Sequence, residues 1–332
     1  MAGPVPMAEV WRGDILESVH YGHAVVCDSS GQIVQAWGDP DAVILPRSSC
    51  KMIQALPLVE SGAADAFGLE QEHLALACAS HQAAAIHTDI VRRWLSDLDL
   101  IDSDLICGPQ VPRDAVAENA MIRAKDAPCR YHNNCSGKHA GFLTVTKHLK
   151  VSSDYVDLTH PVQLAVREAF EDVTGMQSPG FGIDGCSAPN FATTIHGFAR
   201  AMAHFARARD DGPARNRAAA RLVQAMLAYP ELVAGEGTAC TELMRAMGGR
   251  VAVKSGAEGV YVAILPDQRL GVALKILDGA ARGSECAITA ILVELGVLDA
   301  SDPATGESMN VIQKNRAGLE TGLLRTAVGF PR

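Results

Sequence analysis

Strand patterns occur at both ends of this chain of 332 residues, and helical patterns fill the region between them. Near the start, residues 23–27 and 33–37 predict two strands joined by a turn. Near the end, residues 250–254, 259–265 and 270–277 predict three more strands. Because a strand must pair with neighbours, this order indicates one sheet built from both ends of the chain.

The sequence therefore predicts a fold of the broad α/β class, in its α+β form. An antiparallel sheet from both termini carries an inserted helical lobe. Residues 1–47 and 248–332 form the predicted sheet-containing lobe, and residues 48–247 form the predicted helical lobe. Apolar residues at helical spacing support this division. The main predicted helices are 139–149, 160–174, 191–208, 218–228 and, after the last strand, 280–295.

Composition excludes several classes of protein. A net charge of −9, with no run of Lys or Arg, argues against a surface that binds duplex nucleic acid. No apolar stretch is long enough to cross a membrane, and residues 1–17 lack the apolar region of a secretory signal. The nine cysteines are scattered without a C-x-x-C spacing. They are predicted to be thiols in a cytoplasmic protein that binds neither nucleic acid nor membranes.

Ser48 and Lys51 form an S-x-x-K pattern where a helix is predicted to begin. Residues three apart share one helix face, so the hydroxyl and the amine can meet. A neutral lysine can take the serine proton and create a nucleophile. The same pattern also occurs on ordinary solvated surfaces, so it needs support from elsewhere in the chain. Pro57 is expected to distort the last turn of this helix.

Two further motifs follow in the order typical of serine β-lactamases and penicillin-binding enzymes. The K-S-G string at 254–256 ends a predicted strand, and the S-H-Q string at 80–82 follows an apolar run. Gln82 stands where those enzymes carry Asn, so the second motif is a weak match. The three motifs together favour an acyl-transfer site with two Ser–Lys pairs, Ser48 with Lys51 and Ser80 with Lys254. A nearby cation, Lys254, would help to keep the base lysine neutral.

Possible metal ligands lie on two polar turns. Cys135, His139 and Cys186 have the chemistry of zinc ligands, but their spacing fits no common structural zinc motif. A buried thiol is the alternative interpretation of each cysteine, and a core or helix-capping role is the alternative for His139. Asp184 can equally be read as the cap of a turn.

Several strings, taken together, resemble the rhizobial-type, class 3 L-asparaginases from about residue 9 to about residue 295. N-C-S-G-K-H and P-E-x-V-A-G-E-G are the most specific of them. The resemblance implies a serine β-lactamase/glutaminase-like fold, a homodimer, and hydrolysis of L-asparagine to L-aspartate and ammonia. The matching segments are 47–51, 78–81, 134–139, 184–186, 230–237 and 240–246.

The resemblance also assigns roles to residues at matching positions. It implies that Ser48 is the nucleophile and Lys51 its base, with Ser80 and Lys254 as the second Ser–Lys pair. The third motif departs from the family, which has Lys-Leu-Gly where this chain has Ser255 in the middle position. The added hydroxyl is expected to alter substrate contacts.

Zinc is the cofactor that the resemblance implies. Cys135, Lys138 and Cys186 match the family's zinc ligands, and Asp184 is expected beside the metal through a water molecule. The family uses zinc to support substrate binding more than to perform the attack. Because a lysine ligand must be neutral, metal binding is expected to strengthen as pH rises.

Four residues are candidates for binding the substrate. Charge complementarity alone assigns the α-carboxylate to Arg47 and the α-ammonium to Asp184. Cys240 matches a family cysteine near the active site, and His139 belongs to the same polar segment as the metal candidates.

Three other functions compete with this hypothesis. A serine-dependent glutaminase or broader amidase differs by as little as one methylene in its substrate, which changes selectivity only by about 1–3 kcal/mol. A penicillin-binding or β-lactamase-type acyl transferase shares the motif order but requires export. A non-enzymatic zinc-binding regulator would keep Cys135 and Cys186 without needing Ser48, Lys51 and Lys254 together.

Overall fold

Strands from both ends of the chain join one antiparallel sheet in the computed structural model, which describes residues 3–332. Eight strands form this sheet in the order β11-β12-β1-β2-β10-β9-β8, and β3 pairs with β2. The small sheets β4-β7 and β5-β6 complete the set. The strands are β1 (Val5–Arg12), β2 (Ile15–Cys27), β3 (Ile33–Trp37), β4 (Val43–Ile44), β5 (Phe181–Ile183), β6 (Pro189–Phe191), β7 (Thr193–Thr194), β8 (Ala252–Gly256), β9 (Val260–Leu265), β10 (Leu270–Ile276), β11 (Val311–Lys314) and β12 (Glu320–Thr326).

Helices occupy most of the middle of the chain, and one-turn 3-10 helices lie at Arg47–Cys50, Asp102–Asp104 and Arg130–His132. The α-helices are α1 (Lys51–Gln54), α2 (Leu56–Glu60), α3 (Ala63–Ala66), α4 (Gln71–Ala77), α5 (Ala85–Asp97), α6 (Ala115–Ala124), α7 (Ser136–Leu149), α8 (Pro161–Thr174), α9 (Ile195–Arg207), α10 (Ala214–Ala228), α11 (Pro230–Val233), α12 (Ala239–Ala246), α13 (Ala281–Glu294) and α14 (Pro303–Ser308).

The predicted fold class is confirmed: the sheet is antiparallel and takes its strands from both ends of the chain. The chain divides into two units, which we call the sheet unit and the helical unit. The sheet unit contains the chain up to Ser49, Thr193–Arg207 and the chain from Glu242 onwards. The helical unit contains Cys50–Ala192 and Ala208–Thr241. Residues 193–207, which the sequence assigned to the helical lobe, thus group with the sheet.

Helices cover both faces of the sheet. Gly271 on β10 faces α9, where a Cβ would collide with backbone atoms of Ala199 and Ala203. The absence of a side chain there lets α9 lie directly on the strand. On the opposite face, Cys286 of α13 packs with Ala8 of β1 in a buried apolar cluster.

The helical unit is organised around α7. Gly137, in its first turn, lies against the backbone of Leu76 on α4, where a Cβ would collide with the Leu76 carbonyl. Gly141, one turn later, is in contact with Leu58 and Ala77. These glycines let the start of α7, which carries the N-C-S-G-K-H string, approach the helix that leads to Ser80.

Two helix predictions need correction. The predicted helix 191–208 begins only at Ile195, because β6 and β7 occupy the residues before it. The helix expected from Ser48 is broken into the turn Arg47–Cys50, α1 and α2. Pro57 lies in the first turn of α2, where its missing N–H leaves no helical hydrogen bond unmade. Among the residues that the structure describes, no helix is long and apolar enough to span a membrane.

Candidate active site

The segment that carries Ser48 meets the end of the third motif inside the sheet unit. Ser48 is half-buried on the turn Arg47–Cys50, which is anchored where the Ser49 hydroxyl donates to the Pro46 carbonyl at 2.6 Å. Gly256, at the end of β8, lies against this turn so closely that a Cβ would stand 2.6 Å from the Pro46 oxygen. The glycine of the K-S-G string therefore allows the strand to reach the segment that carries Ser48.

Arg47 has a left-handed backbone, with φ of 55°. This conformation is uncommon for a residue with a side chain and often marks functional segments. Lys254, two residues before Gly256, is fully buried on β8, and its Nζ donates to the Ser255 carbonyl at 2.9 Å. Arg47 and the buried lysine thus both belong to the sheet unit.

The second motif contacts Lys51 inside the helical unit. The Nζ of Lys51, which is 1% exposed, lies 3.0 Å from the hydroxyl of Ser80. It also donates to the main-chain carbonyls of Ala79 and Asn134. The sequence paired Ser80 with Lys254 and did not predict this contact. Lys51 therefore contacts three uncharged oxygen atoms, one of which is the Ser80 hydroxyl of the second motif.

Ser80 is fixed by its backbone between two loops. Its N–H donates to the Val233 carbonyl at 2.9 Å, in the P-E-L-V-A-G-E-G string. The N–H of His81 donates to the Asn134 carbonyl at 3.2 Å, in the N-C-S-G-K-H string. The two strings most specific to the resemblance therefore both support the same serine.

The predicted zinc ligands lie together at the start of α7. Cys135, Lys138 and Cys186 are all buried, and the Nζ of Lys138 lies 3.2 Å from the Sγ of Cys186. A hydrogen bond from Cys135 lowers the pKa of Cys186 far below its ordinary value, against the effect of burial and with help from Lys138. The same bond raises the pKa of Cys135. Cys186 is therefore the thiolate of the group.

Lys138 is the cation that pairs with this thiolate. Burial by itself lowers the pKa of Lys138, but the attraction of Cys186 and Cys135 is larger in sum and raises it. Asp184 acts in the same direction, from a turn where its carboxylate accepts the N–H of Gly185 at 2.8 Å. The group is thus an ion pair with a neighbouring thiol.

His139 is a core residue beside this group. It is fully buried, and its Nδ1 lies 2.9 Å from the hydroxyl of Tyr155. Tyr155 also accepts the N–H of Ile106 at 2.7 Å. Burial lowers the pKa of His139, and Cys186 opposes the effect. His139 is therefore buried beside the predicted zinc ligands.

Sulfur and nitrogen donors decide which metal this group suits. In residues 3–332, no three His, Cys, Asp or Glu side chains form a group that could hold a metal. Cys135, Lys138 and Cys186 instead combine two sulfurs with an amine, a donor set that suits zinc rather than magnesium or calcium. All nine cysteines are unbridged, and all except the half-buried Cys129 are buried. The chemistry of the three side chains therefore fits the implied ion.

Sequence reasoning missed several supports of the site. The imidazole of His81 lies 2.9 Å from the hydroxyl of Ser136 and stacks on His87, with ring centroids 5.0 Å apart. His87 in turn lies 2.9 Å from the carbonyl of Glu231. In the sequence, these residues are marked only by their positions in or near segments that match the family. Cys240, predicted near the site, is buried in the first turn of α12.

Comparison with protein families found one match that spans nearly the whole chain. Residues 8–326 match the model of the family described as L-asparaginase II. The comparison with curated protein sequences found no match.

The structure is also similar to solved structures of two beta-lactamases. One is from Mycobacterium bovis, with 12% identity, coverage of 82% of this chain and 94% of that chain, and a TM-score of 0.45. The other is a class C beta lactamase from Rhodobacter sphaeroides, with 15% identity, coverage of 83% and 94%, and a TM-score of 0.43.

Proposed function

Since this chain belongs to the L-asparaginase II family and is a hydrolase acting on L-asparagine, we propose that it cleaves the side-chain amide through an acyl-enzyme on Ser48. Lys51, three residues later, takes the proton of Ser48 as its oxygen attacks the amide carbon. The carbon–nitrogen bond then breaks, and the departing nitrogen leaves as ammonia after gaining a proton. Water hydrolyses the resulting β-aspartyl ester and releases L-aspartate.

One observation carries this proposal: the Nζ of Lys51 is buried and lies 3.0 Å from the hydroxyl of Ser80. A general base must lie within hydrogen-bond reach of the group with which it exchanges protons. Ser80 is therefore suited to pass the proton from Lys51 to the departing nitrogen. Lys254 is the second lysine of the proposed Ser–Lys set, and it is fully buried on β8.

Zinc has a supporting role in this proposal. Cys135, Lys138 and Cys186 would hold the ion, whose positive charge would favour binding of the substrate. The site lies at the start of α7, one residue from Asn134, whose carbonyl accepts Lys51. The ligands thereby order the loop that holds the base.

Substrate orientation is assigned by charge. Arg47 would bind the α-carboxylate of asparagine, and Asp184 would bind its α-ammonium, with His139 and Cys240 contributing to the walls of the site. The family resemblance further supports a cytoplasmic homodimer as the form of the enzyme.

Ammonia release from L-asparagine and from L-glutamine, measured separately, tests the nucleophile. Ser48→Ala is expected to lower release from asparagine by roughly 10³-fold or more, because the acyl-enzyme cannot form. Ser30→Ala, which removes an exposed turn hydroxyl bonded to Asp28, is the matched control. Retention of a tenth of the activity by Ser48→Ala would contradict the assignment, and equal rates on glutamine would make the enzyme a broader amidase.

A further inference from the structure

We propose that residues 230–235, which we call the 230–235 turn, are the positioning element of Ser80, and that Thr241 is the positioning residue that keeps this turn closed. The proposal rests on the proposed function, in which Ser80 passes a proton from Lys51. All the residues involved belong to the helical unit. The turn is the first part of the P-E-L-V-A-G-E-G string, to which the reaction assigns no residue.

All three residues of the second motif are linked to the 230–235 turn, Ser80 and Gln82 directly and His81 through His87. The N–H of Ser80 donates to the Val233 carbonyl at 2.9 Å. The ring of His81 stacks on His87, which lies 2.9 Å from the Glu231 carbonyl. The two rings are 10° from parallel and both are buried. The turn therefore fixes Ser80 directly and its neighbour through a histidine pair.

Gln82 makes the third contact. Its side chain lies so close to Gly235 that a Cβ there would stand 2.6 Å from the Gln82 oxygen. Gly235 also has φ of 127°, in the region that favours glycine. Glycine at this position is thus required both by the backbone and by the close approach of the second motif.

Thr241 holds the two ends of the turn together. Its hydroxyl is fully buried and lies 2.7 Å from the Gly235 carbonyl and 3.1 Å from the Pro230 carbonyl, so it can donate to either. The hydroxyl of Thr238 lies 2.9 Å from the same Gly235 oxygen and 3.1 Å from the Thr241 hydroxyl. Thr241 thus bridges both ends of the turn, and Thr238 braces its Gly235 end.

The consequence is a defined distance between Ser80 and Lys51. The acceptor for the Ser80 N–H is a main-chain carbonyl in the middle of the turn, so its position follows the closure of the turn. Reacting groups displaced by about 1 Å can lose about 10²-fold in rate. Opening the 230–235 turn should therefore slow proton transfer while leaving the substrate-binding groups in place.

The test compares Thr241→Val, which keeps the shape and removes the hydroxyl, with Thr241→Ser, which keeps the hydroxyl. We expect Thr241→Val to lower kcat for asparagine about 10- to 100-fold while KM changes less than about threefold. Thr241→Ser should stay within about threefold of wild type in both constants. Thr289→Val is the matched control, because the buried Thr289 hydroxyl has no hydrogen-bond partner within residues 3–332.

A double variant distinguishes an effect of Thr241 on the position of Ser80 from a general effect on the structure of the enzyme. If Thr241 acts through Ser80, adding Thr241→Val to Ser80→Ala should lower the residual kcat by less than about twofold. Multiplication of the two effects would overturn the proposal, as would equal losses in Thr241→Val and Thr241→Ser. Full activity of Ser80→Ala would instead overturn the proposed role of Ser80.

Thermal unfolding shows whether each variant is folded. Should Thr241→Val fail to fold, Thr238→Val supplies the second test, because it removes the weaker brace of the same Gly235 carbonyl. It is expected to lower kcat about three- to tenfold at unchanged KM. An unchanged kcat in folded Thr238→Val would then contradict the proposal.

Discussion

Lys51 and Lys138 are both buried in the helical unit, yet their surroundings differ in charge. Lys51 contacts one hydroxyl and two main-chain carbonyls, all uncharged. Lys138 contacts the thiolate of Cys186, which raises its pKa. Burial alone therefore does not decide what a lysine does. Lys51 has only neutral oxygen partners among these contacts, whereas Lys138 is drawn to the sulfur of Cys186.

The largest effect should come from Lys51. Lys51→Met removes the base and leaves the Ser80 hydroxyl without its amine, so kcat for asparagine should fall about 10³-fold or more. Steady-state kinetics measure the change, and Lys147→Met, at an exposed lysine on α7, is the control. A kcat within tenfold of wild type would mean that the uncharged surroundings of Lys51 do not mark the base.

A smaller effect is expected from Lys138. Lys138→Met removes one donor of the sulfur–amine set, so the zinc content should fall from about one ion per chain, and kcat should fall by only about tenfold. Metal analysis of the purified variant and its kinetics give the two values, again against Lys147→Met. Equal losses of kcat in the Lys51 and Lys138 variants would contradict the different roles proposed for these two lysines.

The smallest expected effect is on stability at acid pH, and it concerns His81, which lies near Lys51. Burial, followed by the charges of His87 and Lys51, lowers the pKa of His81 well below its ordinary 6.5. As pH falls through about 6.5, His81 therefore takes up a proton in the unfolded chain but stays neutral in the folded chain. The free energy of unfolding decreases over this range because protonation favours the unfolded state. Between about pH 7.5 and about pH 5.5, urea unfolding should show that wild type loses about 1 kcal/mol more than His81→Gln. The same loss in both proteins would show that His81 does not contribute to the pH dependence of stability.

Some of this architecture could be predicted because it is local in sequence. The strand 33–37 and the helices ending near Leu149 and Thr174 follow from apolar periodicity and turn residues, and the structure confirms them. The α6 helix went unpredicted because none of its residues is buried, which leaves no apolar face to read. The strands β11 and β12 were missed since strands that are half-exposed carry a weak pattern.

The sequence motifs point to individual residues of the candidate site but not to the contacts between them. The motifs named Lys51, Ser80 and Cys186, yet the pairing of Ser80 with Lys51 depends on how α1 and the end of α4 pack. Similarly, Thr241 has no motif chemistry of its own and becomes significant only through the turn that it closes. Long-range packing, which a single sequence does not contain, decides both.

Main-chain oxygens do much of the holding in this site, and that has a consequence for mutational scanning. The carbonyls of Ala79, Asn134 and Val233 receive Lys51, His81 and Ser80, but every amino acid carries a carbonyl. A scan that replaces side chains would thus leave all three carbonyls in place and could not report the hydrogen bonds that they accept. Insertions or deletions of one residue would score as severe at the same places. The most informative variants of this enzyme would therefore change loop length rather than residue identity.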